Sequence, residues 1–388
     1  MQTADLTNRR PWEVEAGFEE KPDTLASYGY VSKGNELHPC SLPLLVERCA
    51  EGGFWGSPPV LLVWTPETSR LVVPEEIPYL HDALRLRERK VAKSTIGWCL
   101  FFLALILTPL FLFADSGKLI RLVLIFYALP LVVGVGASIH TLRKKIEYTR
   151  ESINESVTAS RYEAWLETQR LTYTKWLCGC FIALMVFELP GETEAIEAAG
   201  LVKPAVWRGE VWRLLTCSML HVNFMHFWMN ALALLSLGRV VEVHASRWHL
   251  PIVFLFSVLT GSVFSLLLLP NATSAGASGG LMGLVGMLLV LGYRRRAYLP
   301  PQFLKEMLLN IGLIGLIGVV GYDIIDNAAH LGGLIGGILA GLWLVRGNED
   351  ALDLAPTKRL TYAGDIALIL ILLTAAGAAF AIVARYLK

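Results

Sequence analysis

Nothing constrains this chain more than the way its apolar residues are gathered into long uncharged runs separated by short loops rich in Lys and Arg. A run of about 15–20 such residues, wound as an α-helix, crosses most of a ~30 Å hydrocarbon core, and lipid forces that winding because it offers backbone polar groups no partners. Composition agrees: 54% of residues are apolar and 17% charged, where soluble domains carry about 25% charged residues. With 34 Lys+Arg against 33 Asp+Glu the chain is near neutral. That excludes a nucleic-acid partner held by bulk charge. The 6 cysteines follow no regular spacing, so a disulfide scaffold is excluded, and Cys178 and Cys180 inside an apolar run read as helix filler.

The runs fall at 96–113, 119–139, 176–189, 227–241, 250–269, 278–293, 304–320, 328–345 and 366–386, nine candidate spans. Positive charge in the loops sets orientation. Arg85 to Lys93, Arg143 with Lys144 and Lys145, and Arg294-Arg295-Arg296 all fall on one side, which places the N-terminus in the cytosol and Lys388 outside. Arg208 and Arg213 break the rule by lying in the outer 190–220 loop. Ahead of the first span the chain is polar and shows no secretory signal pattern. There 42–50 reads as a short helix, and 60–64 with 71–74 as a hairpin around Thr65-Pro66-Glu67-Thr68-Ser69, together a small α+β module. The stretch from Thr141 to Lys175 reads as an amphipathic helix on the cytosolic surface.

Polar residues inside spans are expensive and therefore candidates for function. Gly276-Ala277-Ser278-Gly279 opens a span of only about 16 residues, roughly 24 Å, so Ser278 stops short of the outer surface. A serine at a helix N-terminus sits among unpaired N–H groups and the positive end of the macrodipole, a setting for a nucleophile with an oxyanion site, although serine there is most often a simple N-cap. His330, near the outer end of another span, has the ordinary pKa of a group that takes a serine proton and returns it to a leaving amine; the rival role is a buried histidine bonded to a carbonyl. Gly333, Gly337 and Gly341 follow it at intervals of four, and Gly279, Gly283 and Gly286 offer a small face on the serine helix, so close packing would bring Ser278 and His330 together. His226 and Asn230, i and i+4 near the outer end of a third span, would point two donors at one place, or make a polar helix contact. His221 reads as such a contact. Zinc is a rival for the three histidines, but no His-Glu-x-x-His occurs and no intramembrane carboxylate joins them. Asp323 and Asp326 share one loop, a poor arrangement for an aspartyl protease.

Four separated motifs stand in one order: the Trp212-Arg213 pair, His226-x-x-x-Asn230, Gly276-x-Ser278-Gly279, and His330-x-x-Gly333-x-x-x-Gly337. In this the chain resembles the rhomboid intramembrane serine proteases over about residues 175–346. The resemblance implies an all-α polytopic membrane protein with a six-helix core; the last span resembles an extra C-terminal helix of some members, whereas the two extra N-terminal transmembrane helices and the small α+β module lie outside it and rest on the residues alone. It implies Ser278 as nucleophile and His330 as base and acid, without a third acidic member. It also implies an oxyanion hole from Ser278 N–H, His226 and Asn230, structural support from Gly276, Gly279, Gly333 and Gly337, and an outer loop in which Trp212 and Arg213 dip into the bilayer. Gly238 and Glu242 stand where the family commonly has Gly and Glu. Met282 departs from the pattern, since many members place there an aromatic that stacks on the histidine; a thioether also packs on imidazole.

The expected organisation is 1–90 cytosolic module, 91–140 transmembrane hairpin, 141–174 linker, 175–346 protease core and 347–388 linker with an additional helix. The expected activity is cleavage of peptide bonds in or near transmembrane segments of other membrane proteins, with no cofactor, no metal and no nucleic-acid partner, in a bilayer of the bacterial plasma-membrane kind. A catalytically silent, client-binding relative is the alternative. A transporter is disfavoured because the polar residues gather toward one side, not at the midplane.

Overall fold

The computed structural model describes residues 21–22, 26–32, 36–52, 60–113, 120, 124, 128–143, 150–296, 298–322, 324–345 and 356–387. The chain divides into two compact units, 1–169 and 170–388.

The first unit opens with strands β1 (Tyr28–Val31), β2 (Leu37–Cys40) and, after helix α1 (Leu42–Ala50), β3 (Leu62–Trp64), joined as an antiparallel sheet of order β2-β1-β3. Tyr28 pairs with Cys40, and Gly29 with both Pro39 and Trp64. Helix α1 carries a proline in its first turn, where the missing N–H costs nothing, and buries Leu45, Cys49 and Ala50. After β3 the chain turns at Thr65, whose carbonyl accepts the Thr68 N–H at 3.2 Å, and Val63 and Val72 then exchange both backbone hydrogen bonds at 2.7 and 2.9 Å.

Helix α2 (His81–Phe113) is one piece of 33 residues, about 50 Å long and so longer than a ~30 Å hydrocarbon core. The sequence predicts a helix only from residue 96; the basic segment before it continues the same helix because no Gly or Pro stands between His81 and Ile96 to stop it. The predicted span 119–139 is described as a helix from Leu129, in α3 (Leu129–Arg143), and most of its first half lies outside the described residues. Helix α4 (Arg150–Thr168) follows, and its Arg161 Nε donates to Glu76 Oε1 at 2.9 Å.

The second unit begins with α5 (Tyr173–Glu188), which breaks at Pro190-Gly191 and bends by 119° into α6 (Glu192–Ala199). Then come β4 (Leu201–Val202), α7 (Lys203–Trp207), α8 (Arg213–Thr216), α9 (Phe224–His244), α10 (His249–Leu268), β5 (Thr273–Ser274), α11 (Ser278–Arg294), α12 (Phe303–Val320), α13 (Asn327–Leu344) and α14 (Lys358–Tyr386). Among the described residues 5 helices, α9, α10, α12, α13 and α14, are long and apolar enough to cross a membrane, or 6 if the bent pair counts as one span. Helix α11 has 17 residues, about 26 Å, and is almost wholly buried.

Helices α9, α11 and α13 run in the same direction. At one end Arg295 Nη1 donates to the His244 carbonyl at 2.7 Å and Arg294 Nη1 to the Leu342 carbonyl at 2.8 Å, so arginines satisfy the exposed carbonyls and negative dipole ends of α9 and α13. Two arginines of the 294–296 triplet thus act as helix caps. Glu242, near the same end of α9, accepts the Thr172 N–H at 2.9 Å and the Thr174 hydroxyl at 2.7 Å, holding a carboxylate at the N-terminus of α5. At the opposite end the three N-termini converge, and there the polar motifs meet.

The approach of α13 to α11 is a backbone contact. A Cβ added at Gly333 would lie 2.0 Å from the Gly279 carbonyl oxygen, and one at Gly337 1.9 Å from that of Gly283. The other face of α13 is equally close to α10, where Gly336 meets the Thr260 side chain. With little hydrophobic drive between helices in lipid, such close van der Waals packing holds them together.

Candidate active site

Ser278 begins α11, directly after Gly276 and Ala277, and His330 lies in the first turn of α13. Each helix start is set by local chemistry. Gly276 has φ +142, a conformation that L side chains rarely adopt, and a Cβ there would fall 2.6 Å from His226 Cε1. Glycine is therefore required twice, for the turn and for the histidine beside it. At α13, Asp326 caps the helix by accepting the Ala329 N–H at 2.8 Å.

The outcome is a hydrogen bond of 2.8 Å between His330 Nε2 and Ser278 Oγ across the α11–α13 contact. Both residues are half-buried. The distance lies within the about 2.6–3.2 Å that proton transfer from a hydroxyl to an imidazole requires. The first N–H groups of α11 have no partner inside their own helix and point toward this end.

His226 reaches the same place from α9, its ring against the Gly276 backbone. Its own backbone N–H is held by the Asn223 side chain at 2.8 Å, the N-cap of α9. Asn230 is buried one turn further on, and its amide donates back to the His226 carbonyl at 2.7 Å. It therefore ties down the His226 turn with one of its two amide hydrogens. His221 is fully buried, its ring edge-on to those of His226 and Phe181 with centroids 5.5 and 5.3 Å away, and its backbone N–H donates to the Glu188 carboxylate at 2.7 Å. Met282, one turn after Ser278, is buried within α11.

The 190–220 loop is closed around Arg213. Arg213 is buried, donating from Nε to Glu210 at 2.7 Å and from Nη1 to the Gly200 and Glu197 carbonyls at 2.9 and 3.1 Å, with its guanidinium 4.6 Å from the Trp212 ring. This arginine is spent on closing the loop and does not act as a free surface charge. Trp207, Val211 and Trp212 stay exposed beside it, a surface of apolar side chains suited to the bilayer interface.

A cavity of about 30 Å³ opens beside Ser278, with Ser218, Ser262, Ser274 and Asp326 on its polar side. That is room for about two water-sized groups. The sequence points to neither Ser274 nor Lys203 as a site residue, and it offers Asp326 only as a poor aspartyl-protease candidate. The Lys203 ammonium donates to Ser274 Oγ at 2.7 Å, and Ser274 Oγ donates in turn to Asp326. The only sequence signal was the position of Asp326 ahead of an apolar run, an N-cap pattern.

Residues 208–347 match a family model described as the Rhomboid domain. The chain is 37% identical over 172 residues to a protein named Rhomboid protease GluP from Bacillus subtilis (strain 168), a stretch covering 41% of this chain and 33% of that one. It is 33% identical over 149 residues to RHOMBOID-like protein 6, mitochondrial, of Arabidopsis thaliana, covering 37% and 47%. It is 30% identical over 128 residues to Inactive RHOMBOID-like protein 8 of the same plant, covering 32% and 36%. The chain thus spans between a third and a half of the length of these relatives.

Proposed function

From the premise that this chain belongs to the rhomboid family, we propose that it is an intramembrane serine endopeptidase working through a Ser278/His330 dyad. The observation that carries the reading is the 2.8 Å hydrogen bond between two residues 52 positions apart, each near the start of a membrane-embedded helix. Ser278 Oγ attacks the scissile carbonyl as His330 takes its proton; His330 returns that proton to the leaving amine, and water activated at His330 then releases the acyl group. The oxyanion is held by the Ser278 N–H at the positive end of α11, with the His226 ring and the second amide hydrogen of Asn230 as side-chain donors. No cofactor enters this scheme. Substrates are transmembrane segments whose backbone unwinds near the serine end, because a helix in lipid otherwise keeps its peptide groups internally bonded.

In this reading residues 175–346 are the protease core, 1–90 a cytosolic module, 91–140 a transmembrane hairpin, 141–174 a surface linker and 347–388 a linker with an additional helix. The protein is an integral membrane protein. We place its N-terminus in the cytosol, on the loop charge pattern.

The second reading is a silent member that binds membrane clients, favoured by the resemblance to a relative named inactive. Cleavage of a tagged single-span reporter in proteoliposomes separates the two. The protease reading expects cleavage by the intact protein, none by Ser278→Ala or His330→Ala, and labelling of Ser278 by a fluorophosphonate. An intact protein that neither cleaves nor labels refutes it and leaves client binding.

A further inference from the structure

Ser274 stands four residues before Ser278, and Asp326 four residues before His330. The two are bonded to each other, Ser274 Oγ donating to Asp326 Oδ2. The same carboxylate reaches two more elements. Its Oδ1 accepts the Ala329 N–H at 2.8 Å and caps α13, while Oδ2 also accepts the Ser265 hydroxyl from α10. Ser274 is held in turn by Lys203 Nζ at 2.7 Å, next to the β4–β5 ladder in which Leu201 pairs with Ser274.

Lys203 is 0% exposed, an uncommon position for an ammonium, which is rarely fully buried unless paired. It lies in the outer loop, outside the spans. Burial lowers its pKa from 10.5 and the Asp326 carboxylate opposes that shift. The cluster thus places one cation and one anion on either side of a serine hydroxyl, the arrangement expected where each charge makes the burial of the other tolerable. An ionised Asp326 is acceptor-only, which suits the two hydroxyls and one N–H directed at it.

We propose that Lys203, Ser274 and Asp326 form a positioning relay that sets the distance between the two chain segments leading into Ser278 and His330. This rests on the protease reading. None of the three touches the reacting atoms. They act through the loop before Ser278 and the N-cap of the His330 helix, where a shift of about 1 Å costs roughly 100-fold in rate.

The test compares intact protein with Asp326→Asn, Ser274→Ala, Lys203→Met, Lys203→Arg and the double variant Lys203→Met/Asp326→Asn, all in proteoliposomes. It reads kcat and KM on the single-span reporter, the rate of fluorophosphonate labelling of Ser278, and the melting temperature. Asp326→Asn keeps an oxygen for the cap but turns an amide donor toward hydroxyl partners. It is expected to lower kcat and labelling by about tenfold or more, with KM within about twofold. Ser274→Ala should do the same. Lys203→Met should match them alone, add little in the Asp326→Asn background, and be partly rescued by Lys203→Arg, since residues acting through one another are not additive. Wild-type kcat in Asp326→Asn, Ser274→Ala and Lys203→Met overturns the relay, as does independent addition of the Lys203 and Asp326 losses. So does a loss that follows melting temperature alone and vanishes when the assay is run well below it. If Asp326→Asn does not fold, Ser274→Ala and Lys203→Met, which leave the capping carboxylate in place, decide the question. Active intact protein with unaffected variants sinks only the relay, whereas inactive, unlabelled intact protein sinks the protease reading itself.

Discussion

Replacing Gly333 by alanine adds one methyl group at the point where α13 lies on α11. Its carbon would fall 2.0 Å from the Gly279 carbonyl oxygen, whereas a carbon meets such an oxygen at ~3.3 Å. The obstacle is backbone, not a side chain able to swing away, so the helices must part by about 1.3 Å. Gly333 is three residues from His330 and Gly279 is next to Ser278, so the displacement falls on the dyad. A bond of 2.8 Å opened by that amount passes ~4 Å and ceases to be a hydrogen bond. Overpacking of this kind costs about 1–3 kcal/mol in stability, and a misplacement of this size about 100-fold in rate. Reporter cleavage and fluorophosphonate labelling in proteoliposomes measure the second, thermal unfolding the first. Gly312→Ala on α12, where an added Cβ meets nothing within 4 Å, is the control and should cleave normally. A Gly333→Ala protein with the kcat of the unmodified one would refute the claim that backbone contact sets the dyad distance.

Gly276→Ala joins a strained φ to a collision with His226, so it should lower kcat by at least about tenfold at a cost of about 1–3 kcal/mol, measured by the same assays. Glu242→Gln replaces the carboxylate that accepts from the Thr172 N–H and the Thr174 hydroxyl at the start of α5 and should lower stability by about 2 kcal/mol in a denaturation series, with the kcat of the folded fraction unchanged. Arg213→Met leaves the Gly200 and Glu197 carbonyls without their donor; a fall in melting temperature and faster proteolysis of the 190–220 loop are expected, and unchanged proteolysis would count against a clamping role. In the first unit, burial pushes the Cys49 thiol from 9.0 up to about 12. The folded chain then keeps a proton that the unfolded chain releases, so this contribution to stability is complete below pH 9 and is lost as pH rises toward 12. Alkylation of Cys49, followed by mass spectrometry, should stay slow at neutral pH until denaturant opens the unit.

Much of the second unit was legible because its signals are local. Spans predicted at 227–241, 250–269, 278–293, 304–320 and 328–345 differ from α9 to α13 by a few residues at each end, since charge and glycine mark where a helix can leave lipid. The spacing of Gly333, Gly337 and Gly341 pointed to a close crossing because intervals of four stay on one face of a helix. The 33-residue continuity of α2 was missed, as a basic run reads like a boundary when nothing in it breaks a helix. The strands β1 and β2 were missed too: at 4 residues each they are too short to show alternation, and their pairing decides them.

By itself, then, the sequence determined that this chain is an integral membrane protein, roughly where helices α9 to α13 begin and end, and which serine and histidine stand at helix starts. Hydropathy, capping and glycine spacing act within one or two helical turns, so they can be read along a line. Only the tertiary structure decided what surrounds that pair. Lys203 meets Ser274 across 71 positions and Ser274 meets Asp326 across 52; nothing in the sequence near any one of them points to the other two. Arg213 reads in sequence as a loop charge, and only the fold gives it the Glu197 and Gly200 carbonyls as partners. A buried charge is tolerable only beside its partner, and which residues become partners is settled when the helices pack.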